Sequence, residues 1–375
     1  MRERTKILIY PYDVETSPIL RHAKLISDYS IVALVSPNGW GFNGRDASLA
    51  DGGVKINIEV NSDFEGSLPL CDTVLFSEST LPLDFHKYIL PKISLSAKQG
   101  KDIIYFRKDY GENEKVIKDI CGENKVTLKS YCNYDDQFAQ EHRVYDARIQ
   151  KINTPVIFVA GVYERTQKFE IQLSLRECFI KMGYKISQIG SRDNCELLGF
   201  YSFPKFMYSC SLSEREKICL FNHYIKNIEL KEKPDIIIIG CPGGIMKVND
   251  SFTGDFGIMA CEISQAVTPD VGVLSTFYED FMPIYFSKIS TLVKYKLGFD
   301  INCYNLSNIK FDWEAANENK KESYLIVDSG FVDSKKTLFN QLQTQVFNIL
   351  NSNDRDNMAN HIINILSYYG EVRSV

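Results

Sequence analysis

The sequence predicts an α/β protein of two doubly wound, mostly parallel α/β domains with a helical C-terminal extension. Three observations predict it. Short apolar, β-branched runs alternate with stretches whose apolar residues recur at helical spacing, as strands and crossover helices do. A polar, irregular stretch at 111–154 separates two such series. The 375 residues are enough for two hydrophobic cores.

Taken in order, the first series has strands at 6–10, 31–35, 73–76 and 102–106, with helices at 18–27 and 84–99. This Rossmann-like or flavodoxin-like domain, with its connection, is expected over 1–150. The second series, expected over 151–310, has strands at 156–160, 184–189, 234–240 and 272–275. Its helices are expected at 170–182, 213–228 and 257–267. Residues 311–375 are expected to cap the second domain: a loop at 312–323, a strand at 324–327, and helices at 337–350 and 354–369.

Composition limits the function. Apolar residues make 44% and charged residues 24% of the chain, values typical of a globular protein. A net charge of −5, from 43 basic and 48 acidic residues, leaves no footprint for nonspecific nucleic-acid binding. The opening MRERTKILIYPYD enters an apolar run that Pro11 soon interrupts, unlike a signal peptide. No stretch approaches the roughly 18 apolar residues needed to cross a bilayer. A cytoplasmic protein without nucleic-acid or membrane partners is expected, and the fold class admits a homodimer. The 10 cysteines include no C-x-x-C pair, which favours small core residues in a reducing compartment. Spacing leaves open the alternative of three or four cysteines meeting in space at a metal or iron-sulfur cluster. No metal ligands are assigned.

The segment PVIFVAGVYERTQKFEIQLSLRECFIKMG, residues 155–183, has the layout of a phosphate-binding strand, loop and helix. Gly161 opens the turn, and Ile171, Leu175, Cys178, Phe179 and Met182 share one helical face that Gly183 terminates. In such a loop, backbone N–H groups at a helix N-terminus cradle phosphate. A Lys reaches the outer phosphates, and the next Ser or Thr holds Mg²⁺. Gly161 and Lys168 stand at the two ends here, one residue further apart than in G-x-x-x-x-G-K. This wider spacing resembles that of dethiobiotin synthetase and its relatives, and the resemblance implies a degenerate P-loop-NTPase-like domain. Gln167 departs from the pattern by replacing a glycine, and Phe169 by replacing the Mg²⁺-binding hydroxyl.

The ligand reading gives Lys168 the charge and the N–H groups of Tyr163, Glu164, Arg165, Thr166 and their neighbours the cradle. Gly243 and Gly244 form the opposite wall. ATP or GTP with Mg²⁺ is the candidate cofactor, and a βα turn without a ligand is the alternative. Ligands in open parallel sheets collect beyond the carboxyl ends of strands. PDIIIIG leads there into Cys241-Pro242-Gly243-Gly244, whose glycines permit close backbone approach. A metal-binding carboxylate belongs at the far end of this strand, but Asp235 lies at its start. Asp255 is expected to cap the next helix, with a metal or substrate role as the alternative. Glu164, Arg165, Glu170 and Glu262 are available to replace lost polar functions, or are solvated and capping residues. No catalytic residue is assigned.

The first domain has a strand-end set of its own for a substrate or partner: Asp13, Asn38, Trp40, Arg45, Asp46, Glu78 and Arg107. Several lie in SPNGWGFNGRDASLADGG, residues 36–53. No G-x-G-x-x-G opens a helix there, so a dinucleotide site is not supported. A long glycine-rich loop reads as a binding loop with Trp40 as its apolar anchor. The other reading packs Trp40 onto the sheet. His22 is either an acid/base group or a structural histidine.

Five strings carry a resemblance: YPYDVETSPILRHAKL, IVALVSPNGWGFNGRDASLADGG, CDTVLFSES, GVYERTQKFEIQLSLRE and PDIIIIGCPGGIM. Over roughly residues 5–310 the chain resembles the clostridial peptide maturation system proteins, found beside radical SAM enzymes and small precursor peptides in ribosomal natural-product clusters. The resemblance implies an accessory role in peptide maturation, with a precursor peptide and a radical SAM modifying enzyme as partners. An ATP- or GTP-dependent peptide-modifying enzyme and a non-enzymatic peptide-binding scaffold are the alternatives.

Overall fold

The computed structural model describes residues 4–130, 148–192 and 195–371. They divide into two compact units, Met1–Asn133 with Glu196–Gly199, and Tyr134–Cys195 with Phe200–Val375. Cys132 and the part of the expected connection at 131–147 lie outside the described residues.

The strands of the first unit are β1 (Thr5–Tyr10), β2 (Tyr29–Val35), β3 (Arg45–Asp46), β4 (Glu59–Asn61), β5 (Thr73–Phe76), β6 (Asp102–Tyr105) and β7 (Leu128–Ser130). They form one sheet in the order β3-β4-β2-β1-β5-β6-β7, in which β3 pairs antiparallel with β4. With β2 and β4 on one side of β1 and β5, β6 and β7 on the other, the order is Rossmann-like. Alternate residues Leu8, Tyr10, Val74, Phe76, Ile103 and Tyr105 pack on Ile89, Ile93 and Ile117 of the covering helices.

The second unit contains β8 (Val156–Gly161), β9 (Ile186–Ile189), β10 (Ile236–Gly240), β11 (Val271–Thr276), β12 (Ile301–Leu306) and β15 (Gln345–Phe347). They pair in parallel in the order β15-β12-β11-β8-β10-β9. A separate antiparallel pair joins β13 (Ile309–Phe311) and β14 (Tyr324–Ile326). Both faces of the main sheet are covered. Phe158 and Ala160 meet Phe221 and Ile225 of the helix Glu214–Glu232 on one face. On the other, Ile157 and Val159 meet Ile171 and Leu175 of the helix Lys168–Lys181, and Met358 and Ile362 of the helix Ser352–Glu371. Burial on both faces explains why β8 and β10 read as unbroken apolar runs. Among the described residues no helix is long and apolar enough to cross a membrane.

Several local expectations are corrected. The stretch at 111–154 is not irregular throughout: it contains most of the helix Tyr110–Glu123, and β7 follows. That helix buries only Tyr110, Ile117 and Cys121, too thin a stripe to stand out. The expected loop at 312–323 contains the helix Trp313–Asn319, capped by Asp312, whose carboxylate accepts from Ala315 N at 3.1 Å. The expected helix at 337–350 is instead a 3₁₀ turn, Thr337–Phe339, followed by β15. The helix expected at 18–27 covers Ser17–Arg21 and gives way to a 3₁₀ turn at Ala23–Leu25. Asp255 is not an N-cap, because Gly257 takes that position at φ 78° before the helix Ile258–Ala266.

Candidate functional site

The strand order of the second unit reverses at β8, which lies between β10 and β11. A crevice forms beyond the carboxyl ends of strands at such a switch point. Gly161, the last residue of β8, starts the loop that ends at the helix Lys168–Lys181.

Close backbone approaches shape this loop. A Cβ on Gly161 would lie 2.7 Å from Tyr163 O, and one on Gly244 would lie 2.8 Å from Tyr163 Cα. Ile245 N donates to Gly161 O at 3.0 Å, fixing the loop after β10 against the loop after β8. Arg165 and Gln167 both have left-handed backbones, with φ of 55° and 61°. Gln167 therefore adopts the conformation that a glycine would normally take. Among the described residues, the hydrogen bonds of this loop include none donated by the backbone N–H of Tyr163, Glu164, Thr166 or Gln167. These donors stand at the positive end of a helix.

Lys168 is buried at the first position of that helix. Its ammonium donates to Gly243 O and, at 3.5 Å, to Tyr163 O. No carboxylate lies within ion-pair distance of it among the described residues. Burial lowers its pKa, and Arg192 nearby acts in the same direction, while Cys241 and Glu164 oppose. A buried ammonium whose hydrogen-bond partners are neutral carbonyls carries a desolvation cost, and an anion would offset that cost.

The remaining residues expected in the second unit fall in several places. Tyr163 stacks on Phe277, with ring centroids 5.2 Å apart. Arg165 lies over the ring of Tyr324 at 5.3 Å. Thr166 donates its hydroxyl to Tyr163 O at 3.1 Å. Glu164 and Asp255 are exposed, and their carboxylates come within 3.8 Å and 3.5 Å of the Cβ position of Gly243. Glu262 faces Lys217 of the helix Glu214–Glu232 at 3.9 Å, and burial raises its pKa.

A phosphate fits the donors of this loop, whereas Mg²⁺ does not find its usual ligands. Phe169, in the place of the hydroxyl, is buried against Phe200, with Arg192 4.4 Å above its ring. Asp235 accepts from Lys185 N at 2.8 Å at the start of β10. Among the described residues no group of three or more His, Cys, Asp and Glu is arranged for a metal ion.

Two contributors were missed by sequence reasoning. Asn308 accepts from Gln167 Nε2 at 2.6 Å, and Ser275 donates its hydroxyl to Thr166 O. Both follow from the strand-end rule, Ser275 within β11 near its carboxyl end and Asn308 two residues beyond β12. The run INCYNL, which forms β12, was the available signal.

In the first unit the switch point is β1, which is followed by Tyr12 and Asp13. Asp13 is buried and accepts from Thr80 N at 2.7 Å and Glu15 N at 2.9 Å, tying the end of β1 to the loop after β5. Burial still pushes its pKa up to about 6. Asp46 accepts from the backbone N–H groups of Ser48, Ile56 and Asn57, which closes the base of the glycine-rich loop. Trp40 is half-buried, while Asn38 and Arg45 are exposed. Arg107 is buried and bonded to Asp109 and to Leu83 O, and Glu78 accepts from Lys108 N. His22 is fully buried.

No protein-family model matches the chain, and no curated protein matches it. Among solved structures, a DUF1611 family protein from Anabaena variabilis ATCC 29413 is similar at TM-score 0.57 and 10% identity, over 96% of this chain and 100% of that one. An amine dehydrogenase from Mycobacterium smegmatis is similar at TM-score 0.30 and 13% identity, over 47% of this chain and 53% of that one. Homoserine dehydrogenase of S. aureus gives TM-score 0.26 and 14% identity, over 34% and 33%. What the chain shares with the DUF1611 protein is the fold, parallel α/β sheets with helices on both faces.

Proposed function

We propose that the protein binds a phosphate-bearing or otherwise anionic ligand at the loop between Gly161 and Lys168, as an accessory protein in the maturation of a ribosomally made peptide. One observation carries the ligand reading: Lys168 is a buried ammonium without a carboxylate partner, at a helix N-terminus beside the strand where the sheet order reverses. Phe169 in place of the hydroxyl favours binding over Mg²⁺-assisted phosphoryl transfer. The resemblance to clostridial peptide maturation proteins supports a precursor peptide and a radical SAM enzyme as partners, with the Trp40 loop as the contact.

Calorimetric titration with ATP, GTP and ADP, each with and without Mg²⁺, tests the ligand reading. Binding that does not require Mg²⁺ supports it, and no binding of any of the three rejects it. Mg²⁺-dependent turnover on a peptide is a second reading, favoured by the carboxylates of Glu164 and Asp255 beside Gly243. Phosphate release stimulated by the precursor peptide would support that reading, and its absence with all components present would reject it.

A further inference from the structure

We propose that Asn308 is a positioning residue for the anion loop, holding Gln167 in the left-handed conformation that turns the loop N–H groups toward a ligand. The inference rests on the reading of this loop as an anion site. Gln167 has φ 61° and ψ 23°. A side chain resists that backbone because its Cβ crowds a neighbouring carbonyl, and only glycine adopts it freely.

Two neighbouring strand ends supply the restraint. Gln167 Nε2 donates to Asn308 Oδ1 at 2.6 Å. Asn308 is fully buried and anchored itself: its Nδ2 donates to Val327 O at 2.8 Å, and its backbone carbonyl accepts from Val327 N at 2.8 Å. The preceding loop residue is gripped in the same way. Ser275 donates its hydroxyl to Thr166 O and accepts from Asn305 Nδ2 at 2.9 Å. Residues 166 and 167 are thus held by β11 and by the turn after β12, where a P-loop would use a glycine.

It follows that Asn308 is needed only while residue 167 carries a side chain. The test is a double-mutant cycle of native protein, Asn308→Ala, Gln167→Gly and the double variant, read by ATP calorimetry and by thermal unfolding. Asn308→Ala should weaken ATP binding about tenfold in the native background, the effect of losing one buried hydrogen bond. With glycine at 167 the same change should cost less than about twofold, because glycine reaches the conformation unaided. The melting temperatures should be non-additive in the same sense. Equal effects of Asn308→Ala in both backgrounds would overturn the positioning role. Failure of the native protein to bind ATP would instead overturn the anion-site reading, and the unfolding cycle, which needs no ligand, would still decide whether 167 and 308 are coupled.

Discussion

The ammonium of Lys168 donates to the carbonyl of Gly243, so a cation on the helix after β8 is held by a backbone oxygen on the loop after β10. Those two loops touch through backbone atoms at Tyr163 and Gly244. A ligand anion would replace a neutral carbonyl with a charged partner for the same ammonium, adding ion-pair attraction to a bond whose donor is already charged.

Gly244→Ala should disrupt this arrangement. The added Cβ would sit 2.8 Å from Tyr163 Cα and 2.9 Å from Val162 O, and backbone atoms cannot swing aside. A loss of about 1–3 kcal/mol in unfolding free energy is expected, the usual cost of overpacking. Denaturant melts measure it, and an unchanged midpoint would mean that the two loops are not in contact in solution.

Phe169 fills the position where Mg²⁺-binding loops place a hydroxyl, and it belongs to the packing of the second unit. Phe169→Ala should cost about 3–5 kcal/mol, as large-to-small core substitutions do. A cost below about 1 kcal/mol would show that the ring is not buried as described.

Asp13 should make stability depend on pH. Its folded pKa of about 6 lies above its ordinary 3.8, because burial outweighs the bonds from Thr80 N and Glu15 N. The folded protein therefore holds this proton more tightly than the unfolded chain. The contribution of Asp13 to stability is fully present below pH 3.8 and is lost as pH rises through about 6. A shift of about two pKa units corresponds to about 3 kcal/mol. The difference in unfolding free energy between native protein and Asp13→Asn should change by about that amount between roughly pH 4 and pH 7. Parallel pH profiles would remove Asp13 as the source.

The parallel strands at the centre of each sheet were legible because burial on both faces makes them continuous apolar runs, as in β8 and β10. The stretch 337–350 was misread for a physical reason. Phe339, Leu342, Val346 and Ile349 recur at helical spacing, yet Phe339 ends a 3₁₀ turn, Val346 lies in the short edge strand β15, and Leu342 and Ile349 fall in the irregular stretches that follow each. At the loop, Gly161 and Lys168 could be read from spacing alone. Asn308 could not, because it lies 141 residues from Gln167 and reaches it only through the pairing of β12 with β11 and of β11 with β8. Asp255 was read as a cap because a carboxylate before a helix usually is one, but the left-handed Gly257 starts the helix two residues later.

The most direct test of the anion-site account compares stability and ATP affinity in native protein and Lys168→Met, which keeps the apolar stem and removes the charge. If Lys168 is a buried cation positioned for an anion, the variant should melt at or above the native temperature, because an uncompensated charge has been removed. Its ATP affinity should fall by at least about tenfold. A variant that melts lower and binds ATP as tightly as the native protein would contradict the account, and would make Lys168 a structural pin between the loops after β8 and β10.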